Sequence, residues 1–171
     1  MHSGLERAGD FAQDSFGEGS NGLPSDTTAQ FSAGLLYAWS GQTLDKRDYL
    51  VDCTIPLPRA RRQLGKAFDD YNAGDLEAGN KHMRKTQPSW QLSMILCPAT
   101  WGDFRAMIKE KDDFFARDDW PTVANQNYDA NKDYVDQQWQ FALNSWNTGV
   151  YFNAGMFYGR VFAALSATTD F

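Results

Sequence analysis

Apolar side chains return every three or four positions along most of this chain, and no stretch alternates convincingly at period two over strand length. The pattern therefore predicts helices and no sheet. The first, SDTTAQFSAGLLYAWSG, repeats Phe31, Leu35 and Trp39, with Ser25 or Asp26 able to cap it and Gly41 able to end it. TLDKRDYLVDC reads as a short helical turn carrying Leu44, Tyr49 and Leu50. In CTIPLPRARRQLGKAFDDYNAGD the prolines suit a helix start, and Ala60, Leu64, Ala67, Phe68 and Tyr71 share one face before NAGD breaks the pattern. Asp75 can cap the next helix, lined by Leu76, Gly79 and Met83, and Gln87-Pro88-Ser89 restarts the pattern. Thr100 with Asp103 resembles a capping box ahead of a stripe at Phe104, Met107, Ile108, Lys111 and Phe115. A last, long periodic segment covers residues 123–165.

These elements predict an all-α, single-domain bundle of five or six helices over residues 25–171. Residues 1–24 are rich in Gly, Ser, Asp and Asn with little periodicity, and predict an irregular N-terminal arm.

The final segment holds the most informative stretch, NTGVYFNAGMFYGRVFAAL. Gly155, Gly159 and Ala163 recur at helical spacing, with Gly149 a turn and a half earlier. A glycine in a helix interior costs about 1 kcal/mol relative to alanine, so a close neighbour is expected to offset it. Phe152 and Met156 stand among the rings that make this helix apolar in nearly every direction, as a buried helix is. Gly149, Phe152, Gly155, Met156, Gly159 and Ala163 are therefore the candidate packing or interface residues.

Composition narrows the functional classes. The net charge of −6 argues against nucleic acid, and RARR at 59–62 is the only dense basic run, read as a solvated helix face. Residues 137–159 carry no formal charge, but their Gln and Asn side chains argue against a membrane span. The N-terminus shows no apolar core of signal-peptide length.

Candidate catalytic and ligand motifs are weak. GEGSNG (Gly17, Gly19, Gly22) has the dinucleotide spacing but follows no strand, and reads as a loop. Asp129, Asn131 and Asp133 open like a calcium loop, yet Tyr134 and Gln140 stand where Gly and Glu are needed. The pairs Asp69-Asp70, Asp112-Asp113 and Asp118-Asp119 are adjacent on helices and diverge, unlike the opposed acids of a glycosidase. His82, amid Lys81, Arg84 and Lys85, reads as a surface histidine. No enzymatic activity, cofactor or metal is expected.

Two cysteines remain, Cys53 and Cys97. Paired, they would close a loop worth roughly 3–4 kcal/mol; reduced, each is a small buried hydrophobe, and composition leaves both readings open. From FSAGLLYAWSGQTLDKRDYLVDC through AFDDYNAGDLEAG and PSWQLSMILCPATWGDF to YFNAGMFYGRVFAAL, the chain resembles a group of small, largely uncharacterised two-cysteine helical proteins of ciliates and related protists. The resemblance spans roughly residues 31–165. Such proteins look secreted, so it implies an extracellular location and a Cys53–Cys97 disulfide; it implies no catalytic residue.

The expected role is a non-enzymatic structural subunit of a homo-oligomeric or fibrous assembly, or an accessory subunit of a larger complex, with this chain itself or other proteins as partners. The alternative is a carrier holding a lipid, pigment or other apolar small molecule in an aromatic-lined core.

Overall fold

The computed structural model describes residues 22–40 and 45–167. The expected arm up to residue 21, including Gly17 and Gly19, lies outside them, as do Gly41 and Leu44. Among the described residues the chain is all-helical, with no strand. Its α-helices are α1 (Thr27–Ser40), α2 (Asp45–Cys53), α3 (Pro58–Asn72), α4 (Leu76–Ser93), α5 (Trp101–Phe115), α6 (Trp120–Ala130), α7 (Lys132–Asn147) and α8 (Tyr151–Ser166), with one 3-10 turn at Pro98–Thr100.

Among the described residues eight helices stand where five or six were expected, chiefly because the segment over 123–165 is three elements. Asn131 interrupts α6 and α7. Gly149 then takes a φ of +76° between α7 and α8, with Val150 N–H donating to Ser145 O at 2.8 Å. That left-handed position suits glycine and closes the end of α7. Periodicity survives a sharp turn, so it marks the apolar face but not the break.

The chain divides into two compact units. The described part of the first holds residues 22–29 and 53–96 and is built on the α3–α4 hairpin. Pro58 opens α3, and Ala60, Leu64, Ala67, Phe68 and Tyr71 are buried as the stripe predicts. Gly74 at φ +80° turns the chain, and the Asp75 side chain accepts from Ala78 N–H at 2.9 Å to start α4. At the open end of the hairpin, Ile55 N–H donates to Ser93 O at 2.7 Å.

Helix α4 departs from expectation twice. It runs unbroken through Pro88, which lies on the exposed side where water can take the carbonyl bond that the ring removes. Leu76 is exposed, and the buried face is made by Gly79, Thr86, Ser89, Trp90 and Ser93. Small polar residues serve there because Thr86 and Ser93 hydroxyls donate back to the His82 and Trp90 carbonyls.

The second unit holds 30–52 and the chain from Cys97 onward. The Tyr49 hydroxyl accepts from Ala99 N–H at 3.0 Å, fixing the 3-10 turn. Thr100 makes no capping bond to α5; its hydroxyl donates to Cys97 O at 3.0 Å, so the expected capping box is absent. Trp39 Nε1–H donates to Glu110 at 2.6 Å, tying α1 to α5. Asn127 Nδ2 donates to both Leu165 O and Ala167 O, capping the end of α8 from α6.

No helix among the described residues is long and apolar enough to cross a membrane. Cys53 and Cys97, the only cysteines, are disulfide-bonded.

Candidate functional site

The glycine residues of α8 pack within the second unit. A Cβ added at Gly155 would stand 2.9 Å from the Phe31 carbonyl carbon and closer still to its oxygen. One at Gly159 would meet the Ala38 Cβ at 2.9 Å. The reciprocal position is Gly34 of α1, where a Cβ would lie 2.6 Å from Met156 N and closer still to Phe152 O. Contacts that short are impossible for a real Cβ, so α1 and α8 approach backbone to backbone through Gly34 and Gly155.

Gly149 plays another part. Nothing lies within 4 Å of its Cβ position, and it serves the α7–α8 turn instead of the packing stripe. Phe152 is buried, while Met156 and Ala163 are half-buried. Gly34 carried the same signal as Gly155, a glycine inside an apolar helix, and the stripe reading overlooked it.

Rings then fill the space around the two helices. Phe31 meets Trp146 edge-on at 6.2 Å and Tyr158 at 5.9 Å, Tyr37 lies 5.8 Å from Phe152, and Trp146 lies 4.9 Å from Tyr151. Tilted and edge-to-face pairs of this kind add to what burial alone contributes.

A second aromatic group reaches the surface. Where α5 ends and α6 begins, Phe115 and Trp120 pack at 5.0 Å with rings 76° apart, and Phe114 and Phe162 back them. Phe114 is buried, but Phe115 is 46% and Trp120 36% exposed. Asp112, Asp113, Asp118 and Asp119 are exposed along the same corner. Sequence periodicity assigned Phe115 to a buried stripe; it lies one position past Phe114, which takes the inward direction instead.

The acid pairs do not converge. Asp112 pairs with Lys111, Asp113 with Lys109 and Asp119 with Arg117. Among the described residues no three His, Cys, Asp or Glu side chains are grouped to hold a metal ion.

In the first unit His82 is more engaged than a surface histidine. Its Nδ1–H donates to Gln63 Oε1 at 2.8 Å, and its Nε2 lies 3.6 Å from an Asp70 oxygen. Desolvation holds its pKa below the ordinary value; Asp70 opposes this, while Lys85, Lys66 and Lys81 add to it. Beside it, Tyr71 donates to Asn80 Oδ1 at 2.8 Å, and its ring fills the space left bare by Gly79.

No family model, no curated protein and no solved structure matches the chain.

Proposed function

We propose that this chain is a non-enzymatic structural subunit that assembles with copies of itself, through the exposed aromatic corner and not through the glycine stripe. The observation that carries the reading is the Phe115–Trp120 pair: two large rings in contact, each more than a third exposed. Aromatic rings are enriched where protein surfaces meet, and clustered exposed ones mark contact sites. Phe141, 41% exposed and 5.1 Å from Phe157, is a further exposed ring, on the α7–α8 hairpin. The disulfide supports an oxidising, extracellular location.

Sedimentation velocity on the full chain tests the reading. Concentration-dependent association that Phe115→Ser with Trp120→Ser abolishes, at unchanged helical circular dichroism, is the expected result. A monomer at every concentration would overturn it, and a discrete adduct on that monomer in native mass spectrometry would favour the apolar-ligand carrier.

A further inference from the structure

The charge of this chain is unevenly divided. Residues 54–96 hold seven Lys and Arg against four Asp and Glu, a net of +3 in a chain of −6, which leaves −9 for the rest. Within that basic stretch, Lys66 of α3 and Lys81 and Lys85 of α4 are all exposed. The 2.8 Å bond from His82 to Gln63 brings the two helices together here, with Lys66 one turn past Gln63 on α3 and Lys81 and Lys85 beside and one turn past His82 on α4, so the three lie on one part of the hairpin surface. Among the described residues none of the three is held in an ion pair. The aromatic corner of the second unit leans the other way: residues 109–120 hold five Asp and Glu against three Lys and Arg, and although Asp112 and Asp113 have local partners in Lys111 and Lys109, they and Asp118 are exposed beside Phe115 and Trp120.

We propose that the basic face of the α3–α4 hairpin in one copy docks on the acidic aromatic corner of a second copy. This rests on the self-assembling subunit reading above and names the two surfaces that meet. Ammonium groups suit such a corner twice, pairing with its carboxylates and lying over its ring faces. The two surfaces differ, so the contact is heterologous: each docking leaves one copy's corner and the other copy's hairpin available for a further contact. Complementary charge also disfavours wrong pairings, since hairpin against hairpin and corner against corner repel.

Charge reversal on the full chain tests the pairing. Three proteins are compared by sedimentation velocity: the natural chain, Lys66→Glu/Lys81→Glu/Lys85→Glu, and Asp112→Lys/Asp113→Lys/Asp118→Lys. The natural chain should associate at about 10 mM salt, where charges act over about 30 Å, and dissociate towards 1 M, where they act over about 3 Å. Each variant alone should associate about a hundredfold more weakly. Their equimolar mixture should regain assembly, because the reversed hairpin now fits the reversed corner. Should a reversed set lose helical circular dichroism, Lys→Gln and Asp→Asn sets at the same positions replace it, each predicted to weaken assembly. Assembly of the natural chain that neither salt nor the single variants weaken would overturn this pairing while leaving the subunit reading intact. A folded mixture that fails to recover would also overturn it. A natural chain monomeric in every condition would overturn both.

Discussion

Gly34 of α1 and Gly155 of α8 are each pressed against the other helix's backbone, Gly34 on Phe152 O and Met156 N, Gly155 on Phe31 O. Backbone cannot give way as a flexible side chain can, so a single methyl at either position must part the helices. Gly155→Ala and Gly34→Ala should each destabilise by about 2–3 kcal/mol, despite alanine's higher helix propensity. Gly159→Ala meets the Ala38 methyl at 2.9 Å and the Leu35 side chain at 3.4 Å, with the nearest backbone atom of α1, Leu35 O, at 3.6 Å, and should cost less. Gly102→Ala, in the first turn of α5 with nothing within 4 Å of the added Cβ, should stabilise by about 0.5 kcal/mol. Urea unfolding of the four variants checks the order; an equal effect at Gly102 and Gly155 would show that the backbone contact carries no weight.

The contrast between Gly155 and Gly149 shows what the sequence made legible. Both lie in one apolar, glycine-bearing stretch, and periodicity cannot tell a helix interior from a turn when the residues on either side stay in phase. Only the φ of +76° at Gly149 separates them. Local signals with a single physical cause read well: the buried face of α3, Pro58 at its start, and the Asp75 cap. Signals that depend on a partner distant in sequence read badly. The buried side of α4 shows few apolar residues because Thr86 and Ser93 bond to their own helix, and Phe115 was separated from Phe114 only by what lies opposite. The aromatic corner brings together residues from 112 to 162, a juxtaposition with no local motif.

The disulfide closes a 44-residue stretch from Cys53 to Cys97, which includes the whole α3–α4 hairpin. Chain-entropy reasoning assigns such a loop about 4 kcal/mol of stability through restriction of the unfolded chain. Cys53→Ser with Cys97→Ser should therefore lower the urea midpoint by an amount equivalent to about 2–4 kcal/mol. Cys97 is fully buried and Cys53 half-buried, so under native conditions a reductant should attack at Cys53, more slowly than in denaturant where both sulfurs are open. Mass analysis with and without reductant, in each state, measures this; equal rates in the native and denatured states would show that the fold gives the bridge no protection.

His82 should make the hairpin sensitive to acid. Its folded pKa lies below the ordinary 6.5, so between the two values the unfolded chain binds more protons. Its contribution to stability is complete above about pH 6.5, declines as pH falls below that value, and is fully lost once pH passes below the folded pKa. Nuclear magnetic resonance titration of the ring should give a midpoint under 6.5. Lys85→Gln removes a repelling charge and should raise that midpoint, whereas Asp70→Asn removes the attracting one and should lower it further. Lys66 and Lys81 act in the same sense as Lys85, so their neutralisation should also raise it. A ring that titrates at 6.5 in all variants would show that neither the desolvation nor the charges reach it.

Asn127 closes the last turn of α8 by a device that no spacing rule reveals. Its Nδ2 donates 2.9 Å to Leu165 O and 2.8 Å to Ala167 O, serving two carbonyls that the helix itself leaves without donors. Asn127→Ala removes both bonds and should cost about 1 kcal/mol, with faster amide exchange over residues 162–166 and little change elsewhere. Asn127→Asp keeps the size of the side chain but sets acceptors against acceptors, and should fray the turn more than alanine does. Hydrogen exchange resolved by residue distinguishes the cases. If alanine and aspartate left the terminal amides as protected as before, α8 would be held at its end by packing of Phe162 on Phe114 and not by the amide.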